Sequence, residues 1–297
     1  MKLPIRLLFL AGCCLVLFSC ADNDGAPPQL QSPVRLSAVT DDGLWVADHL
    51  GDRVFLLDRQ SLKMRDSFPV GPRPAGVVVA QERVFVAEQG AGRVSVYDPD
   101  GALLYRLGQG DGEFQRPNGL ALNAAAGLVY VVDLQARVIR VFTLDGNDAG
   151  FAIGSGDLNA PTAVGYDAQR REVLVSDFGV PDVPQVRIYA EDGTFLRSLP
   201  GTTGGGMLGG TSIFSAPQGL TVDGKGHLFL VDSLLGQVLV LDQLTGALLG
   251  TVGQAGTGGG ELFLPLDVAI DADSGDLLVA NSKLARVDVY RQGGVWP

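Results

Sequence analysis

The chain has 297 residues and a formal net charge of −11, with 46% hydrophobic side chains and 41 glycines. That is ample apolar material for a core, with about twice the usual share of glycine for turns. The negative charge repels nucleic acid and anionic lipid headgroups.

The first 19 residues read as an export signal. MKLPIR is a basic start and LLFLAGCCLVLF an apolar run of twelve, shorter than the ~20 residues that span a bilayer. Without Lys2 and Arg6 the remaining chain carries 20 basic and 33 acidic residues, a net charge of −13. All three cysteines, Cys13, Cys14 and Cys20, fall in this region. The body therefore lacks a disulfide, a thiol nucleophile and a haem-attachment motif. Leu17–Cys20 (LFSC) resembles a bacterial lipobox, which implies diacylation of Cys20 as the mature N-terminus. Ala21 behind it implies outer-membrane sorting in a Gram-negative cell, facing the periplasm or the cell surface. LAGC at 10–13 is a second candidate, but cleavage there would expose CLVLF on the mature chain. Residues 20–31 are polar, contain Pro27-Pro28 and read as a flexible tether.

From residue 32 to the end the chain repeats itself. Opening prolines stand at Pro33, Pro74, Pro117, Pro161, Pro217 and Pro265, spaced by 41, 43, 44, 56 and 48 residues. Each copy begins with a short strand (GLALN, GLTVD, DVAID). A second, apolar at nearly every position, follows (LWVAD, VFVAE, VYVVD, LFLVD), and then a third (RVFLLD, RVSVYD, VLVLD). A weaker fourth strand follows in most copies (ALLYRL, TFLRSL, ALLGTV). Strands apolar on both faces need a covering sheet on each side. Periods of ~40–50 residues with strand content point to propeller blades. The predicted fold is all-β: a six-bladed β-propeller of four-stranded antiparallel blades over 32–297. The fourth strand of the sixth blade is left open between GGVWP at the C-terminus and QLQS at 29–32.

The pattern P-x-G-(L/V), then (V/L)-x-V-x-D, then R-V-x-V-(Y/F) resembles the NHL repeat. The connections GQGDGEFQRP (108–117) and GQAGTGGGELFLP (253–265) resemble its inter-repeat loop. The first and last copies depart from the pattern. Arg35 and Asp267 stand where the glycine after the opening proline is expected.

In such a ring, loops between blades and turns between second and third strands share one face. The column closing the second strands, Asp48, Glu88, Asp133, Asp177, Asp232 and Asn281, lies there. Five residues after four of these come Arg53, Arg93, Gln237 and Arg286. These are expected to be structural pairs that clamp the turns, acid to Arg or to backbone N–H, rather than an acidic rim for a metal or cationic partner. The two histidines, His49 and His227, are expected on opposite faces, so they cannot share a zinc ion, which takes three or four ligands. The turn DADSGD (271–276) has Ser282 where a calcium loop of the EF-hand kind has glutamate. No metal or cofactor is expected, calcium being the single ion the acidic turns leave open.

Blade four is the longest, with FGVPDVP (178–184) and GTTGGGMLGGTSIF (201–214) inserted on that same face. Phe178, Val180, Met207, Leu208, Ile213 and Phe214 are the candidate partner-binding residues. The resulting expectation is a lipid-anchored, monomeric, non-catalytic platform for another envelope protein or polymer, with no nucleic-acid partner. The alternative is a metal-dependent propeller hydrolase or lyase, as in lactonases, arylesterases, strictosidine synthase-like proteins and the peptidylglycine lyase. Its channel candidates are Asn118, Asn123, Asp167, Asp223, Asp267 and Asp271.

Overall fold

The computed structural model describes residues 27–179, 184–199 and 213–291. Residues 1–26, which hold Cys20, the expected signal peptide and most of the expected tether, lie outside the described residues, as do Val180, Met207, Leu208 and the C-terminal GGVWP. Blade 1 holds β1 (Pro33–Leu36), β2 (Leu44–Asp48), β3 (Arg53–Leu57) and β4 (Met64–Pro69). Blade 2 holds β5 (Pro74–Ala80), β6 (Arg83–Glu88), β7 (Arg93–Tyr97) and β8 (Leu103–Arg106). Blade 3 holds β9 (Pro117–Asn123), β10 (Leu128–Asp133), β11 (Val138–Thr143) and β12 (Asp148–Ile153). Blade 4 holds β13 (Pro161–Asp167), β14 (Glu172–Asp177), β15 (Gln185–Ala190) and β16 (Phe195–Leu199). Blade 5 holds β17 (Pro217–Val222), β18 (His227–Asp232), β19 (Gln237–Asp242) and β20 (Leu248–Val252). Blade 6 holds β21 (Pro265–Ile270), β22 (Leu277–Asn281) and β23 (Arg286–Tyr290).

Every sheet is an antiparallel meander in chain order, and the six form a six-bladed β-propeller. The first strand of each blade packs on the first strand of the next, and β21 packs on β1 to close the ring. Among the described residues the sixth sheet ends at β23, and residues 29–32 form no strand beside it. Instead Leu30 packs with Val287 and Leu62 against the apolar cluster between blades 6 and 1. No helix of the described residues is long and apolar enough to cross a membrane.

The burial pattern accounts for the repetition. The core is six clusters, one in each cleft between neighbouring blades. The central strands β2 and β14 are buried at every residue because each blade face meets another blade. A lone blade would leave both faces in water, so stability requires the closed ring.

Each blade opens with the same irregularity. Where strands one and two pair, the register shifts just after the opening proline, as between Pro74 and Gly76 and between Pro265 and Asp267. At this level the inner strands approach closely. A Cβ on Gly76 would lie 2.3 Å from the Asn118 carbonyl oxygen of the next blade, which is why the pattern asks for glycine there.

Candidate functional site

The column of acids at the ends of the second strands is buried, with side chains turned into the connections between blades. Asp48 accepts the backbone N–H groups of Gln31 (2.5 Å), Ser32 (3.1 Å) and Gly51 (2.9 Å). Asp133 accepts those of Gln115 and Arg116, both at 2.9 Å. Asp177 accepts from Asn159 and Ala160, and Asp232 from Ser215, Ala216, Leu234 and Leu235. Glu88 takes the N–H of Gly71 together with the Tyr97 hydroxyl. Asn281 fills the same role in blade 6, its Oδ1 accepting from Phe263 N–H. Each side chain thus pins the loop that enters its own blade, satisfying backbone donors that a non-regular loop would otherwise leave bare.

The basic partners behave differently from the expected pairs. Arg93 donates to Glu88 at 2.5 Å, the one ion pair of that set among the described residues. Arg53 faces Asp48 across the β2–β3 ladder, yet its guanidinium donates to the Ser67 carbonyl and hydroxyl. Arg286 lies opposite Asn281 and binds Asp288 and the Gly258 carbonyl. Gln237 is opposite Asp232 in the ladder. Asp177 has Arg187 at 3.6 Å, two residues beyond Gln185. The clamp therefore consists of carboxylate and backbone N–H, and the residue five positions on is a ladder neighbour.

The inner strands surround an axial cavity of about 340 Å³. Its floor is the layer where the pattern expects glycine: Arg35, Gly76, Gly119, Ala163, Gly219 and Asp267. Four small residues leave room for two large ones. A Cβ on Gly219 would lie 1.8 Å from Asp267 Oδ1, so that glycine makes the space the aspartate occupies. Arg35 and Asp267 are each only 6% exposed. Arg35 Nη1 donates to the carbonyls of Val34 (2.9 Å) and Leu266 (3.0 Å), and Nη2 reaches Thr162 of blade 4 at 2.7 Å. Asp267 Oδ2 accepts Leu36 N–H at 2.8 Å. Inner strands pair on one edge alone, so carbonyls and N–H groups at the axis need partners, and these two side chains supply them. Burial lowers the Arg35 pKa against the field of Asp267. Burial also pushes the Asp267 carboxyl up to about 6. From this floor the cavity runs toward Val39, Tyr166, Val222 and Ala272, on the face of the hairpins opposite the loop face.

Four other channel candidates, Asn123, Asp167, Asp223 and Asp271, are engaged in locks between blades or in local turns. Asn123 donates to Glu191 at 2.9 Å, Asp167 accepts from Gln243 at 2.7 Å, and Asp271 binds Arg59 through both oxygens at 2.5 and 2.7 Å. Arg59 also meets Asp273, and this bond set joins blade 6 to blade 1. Asp223 holds His227 Nδ1 at 2.6 Å on the hairpin face, while His49 Nδ1 lies 3.3 Å from the Pro74 carbonyl on the loop face. Among the described residues no group of three or more His, Cys, Asp or Glu side chains is placed to hold a metal ion.

The blade-four insertions need a correction. Phe214 is 4% exposed and belongs to the cluster between blades 4 and 5, with Leu220 and Leu230, and Ile213 packs against the same cluster. Phe214 anchors the end of the insertion and is not a surface residue, while Ile213 is half-buried. Phe178 is half-buried. The exposed apolar residues of the loop face lie elsewhere: Leu234 (66%), Leu50 (66%), Phe263 and Leu264. They form a sector over the consecutive blades 5, 6 and 1. Across the ring, Arg73, Arg116 and Arg137 are exposed over blades 2 and 3. The sequence did carry a partial signal for the apolar sector, since Leu50 and Leu234 hold the same position two residues past the acid column.

No family model matches the chain. Protein brain tumor of Drosophila melanogaster, an NHL-repeat protein, is 27% identical over 138 residues, 45% of this chain and 12% of that protein. Among solved structures, the hydrazine synthase of Kuenenia stuttgartiensis superposes with a TM-score of 0.66 at 15% identity, over 92% of this chain and 99% of that one. A Bacteroides thetaiotaomicron protein of unknown function gives 0.64 at 20% identity, over 90% and 70%. A chain of a nidogen/laminin complex gives 0.59 at 16%, over 88% and 92%. The match to the fly protein and the shared fold together support an NHL-type six-bladed β-propeller.

Proposed function

We propose that this chain is a non-catalytic binding platform of the cell envelope, held to a membrane through acylated Cys20, whose loop face contacts another envelope protein. One observation carries the reading: apolar side chains from three consecutive blades stand exposed on one face of a rigid ring, with arginines across it. A fold neighbour drawn from a nidogen/laminin complex supports protein partnering. The lipobox-like Leu17–Cys20 supports the anchor.

The test is crosslinking in the native membrane with parent, Leu50→Glu/Leu234→Glu and Cys20→Ser chains. The double variant replaces exposed side chains and should fold as the parent does while losing the dominant crosslinked neighbour. Cys20→Ser should leave the membrane fraction. An unchanged crosslink pattern in the first, or unchanged partitioning in the second, defeats the corresponding half of the reading. One tightly held divalent cation per purified chain, with lactone or ester hydrolysis, would replace it with the hydrolase alternative.

A further inference from the structure

The floor of the axial cavity is chemically unlike the rest of the ring. At a layer the repeat builds from glycine, two neighbouring blades contribute one cation and one anion, both more than nine-tenths buried. A guanidinium has five N–H donors. Three of these have acceptors, the carbonyls of Val34, Leu266 and Thr162. The buried Nε–H has no partner. Arg35 and Asp267 are not in ion-pair contact: Asp267 Oδ2 turns to Leu36 N–H and the guanidinium to the carbonyls. A buried donor without a partner is costly. So are two opposite charges that share a cavity without touching. The second cost falls if a third group bridges them, offering an acceptor to the remaining Nη2–H of Arg35 and a donor to Asp267.

We infer that the axial cavity is a binding site for a small zwitterion of the free α-amino acid class. Its carboxylate would meet the remaining Nη2–H of Arg35, and its ammonium would meet Asp267. A simple anion would face Asp267 and a simple cation would face Arg35, so each would be disfavoured where the zwitterion is matched. The walls above the floor, Val78, Leu122, Val164, Leu220 and Ile270, favour an apolar side chain. The volume of about 340 Å³ lies at the small end of ligand pockets. Arg35 on β1 is the charged group acting on Asp267, while β17 presents Gly219 to it and β22 pairs Ala280 with it. This site is separate from the loop face, so the platform reading can stand or fall without it.

The experiment is calorimetric titration of the full chain, near pH 7.5, with L-valine, its methyl ester (a cation) and N-acetyl-L-valine (an anion). The expected result is saturable binding of L-valine, with the ester and the N-acetyl compound each weaker by at least about tenfold. Asp267→Asn, whose fold is checked by thermal unfolding, should lose about as much. Binding to the parent should weaken below about pH 6, as Asp267 takes up its proton. No binding of L-valine, equal binding of all three compounds, or parent-like affinity in Asp267→Asn would overturn the site.

Discussion

Asp267 is a buried carboxyl whose pKa stands at about 6, above its ordinary value of 3.8, because burial outweighs the pull of Arg35. Between those two pH values the folded chain binds more protons than the unfolded one. Stability from this group therefore falls as pH rises through the window, and the full loss is present above pH 6. Asp267→Asn should gain on the parent over the same interval, by up to roughly 3 kcal/mol at pH 7 and by little at pH 4. Denaturant unfolding at the two pH values checks it, and a constant difference would refute the assignment. Arg35 and Asp267 were visible in the sequence as departures from the glycine position. That they share one buried floor was not, because they are 232 positions apart in the chain.

At the scale of the element, the unit that recurs is a carboxylate at the end of a second strand gripping the loop that precedes its own blade. Asp232 is the fullest case, with four backbone N–H donors from residues 215, 216, 234 and 235. Asp232→Ala would strand those donors in a buried setting and should cost roughly 3 kcal/mol. Hydrogen exchange should quicken at those four amides while β18 itself stays protected. Uniform acceleration across the blade would show that the acid supports the strand and not the loop. The acid column was legible because it repeats at blade spacing. Its partners stayed open between arginines and backbone N–H groups, because an N–H group leaves no trace in residue type. The expected exposure of Phe214 does not hold, for a related reason. A loop sequence does not reveal which of its apolar residues fold back beneath it, and here the cleft between blades 4 and 5 takes them.

At the scale of the molecule, stability depends on the seam between the last blade and the first. Arg59 crosses it to Asp271, and its hydrogen bonds hold that carboxyl at about 2, below the ordinary 3.8. A depressed carboxyl contributes stability that is present above its unfolded value and lost as pH falls toward the folded one. Arg59→Ala should therefore destabilise the ring at neutral pH, though modestly, because the guanidinium is part-exposed. The difference from the parent should shrink as pH falls from about 4 to about 2. A thermal-unfolding series across that range checks it, and a pH-independent deficit would mean that packing, not charge, closes the seam. The two faces that the ring presents also differ: the loop face gathers Leu50, Leu234, Phe263 and three arginines, and the axial cavity runs to the other.

The sequence by itself determined the number of blades, the first three strands of each and the level of the opening prolines. All of these follow from a local pattern repeated at blade spacing, and periodicity survives in one dimension. It also determined which positions break the pattern. Only the tertiary structure decided what those breaks do. Closure of the ring brings residues 35 and 267 to one axis, and 59 and 271 to one seam, and it tucks residue 214 into a cleft while residues 50 and 234 stay in water. Contacts between the first and last blades, and the choice between a covered and an exposed apolar side chain, depend on that closure.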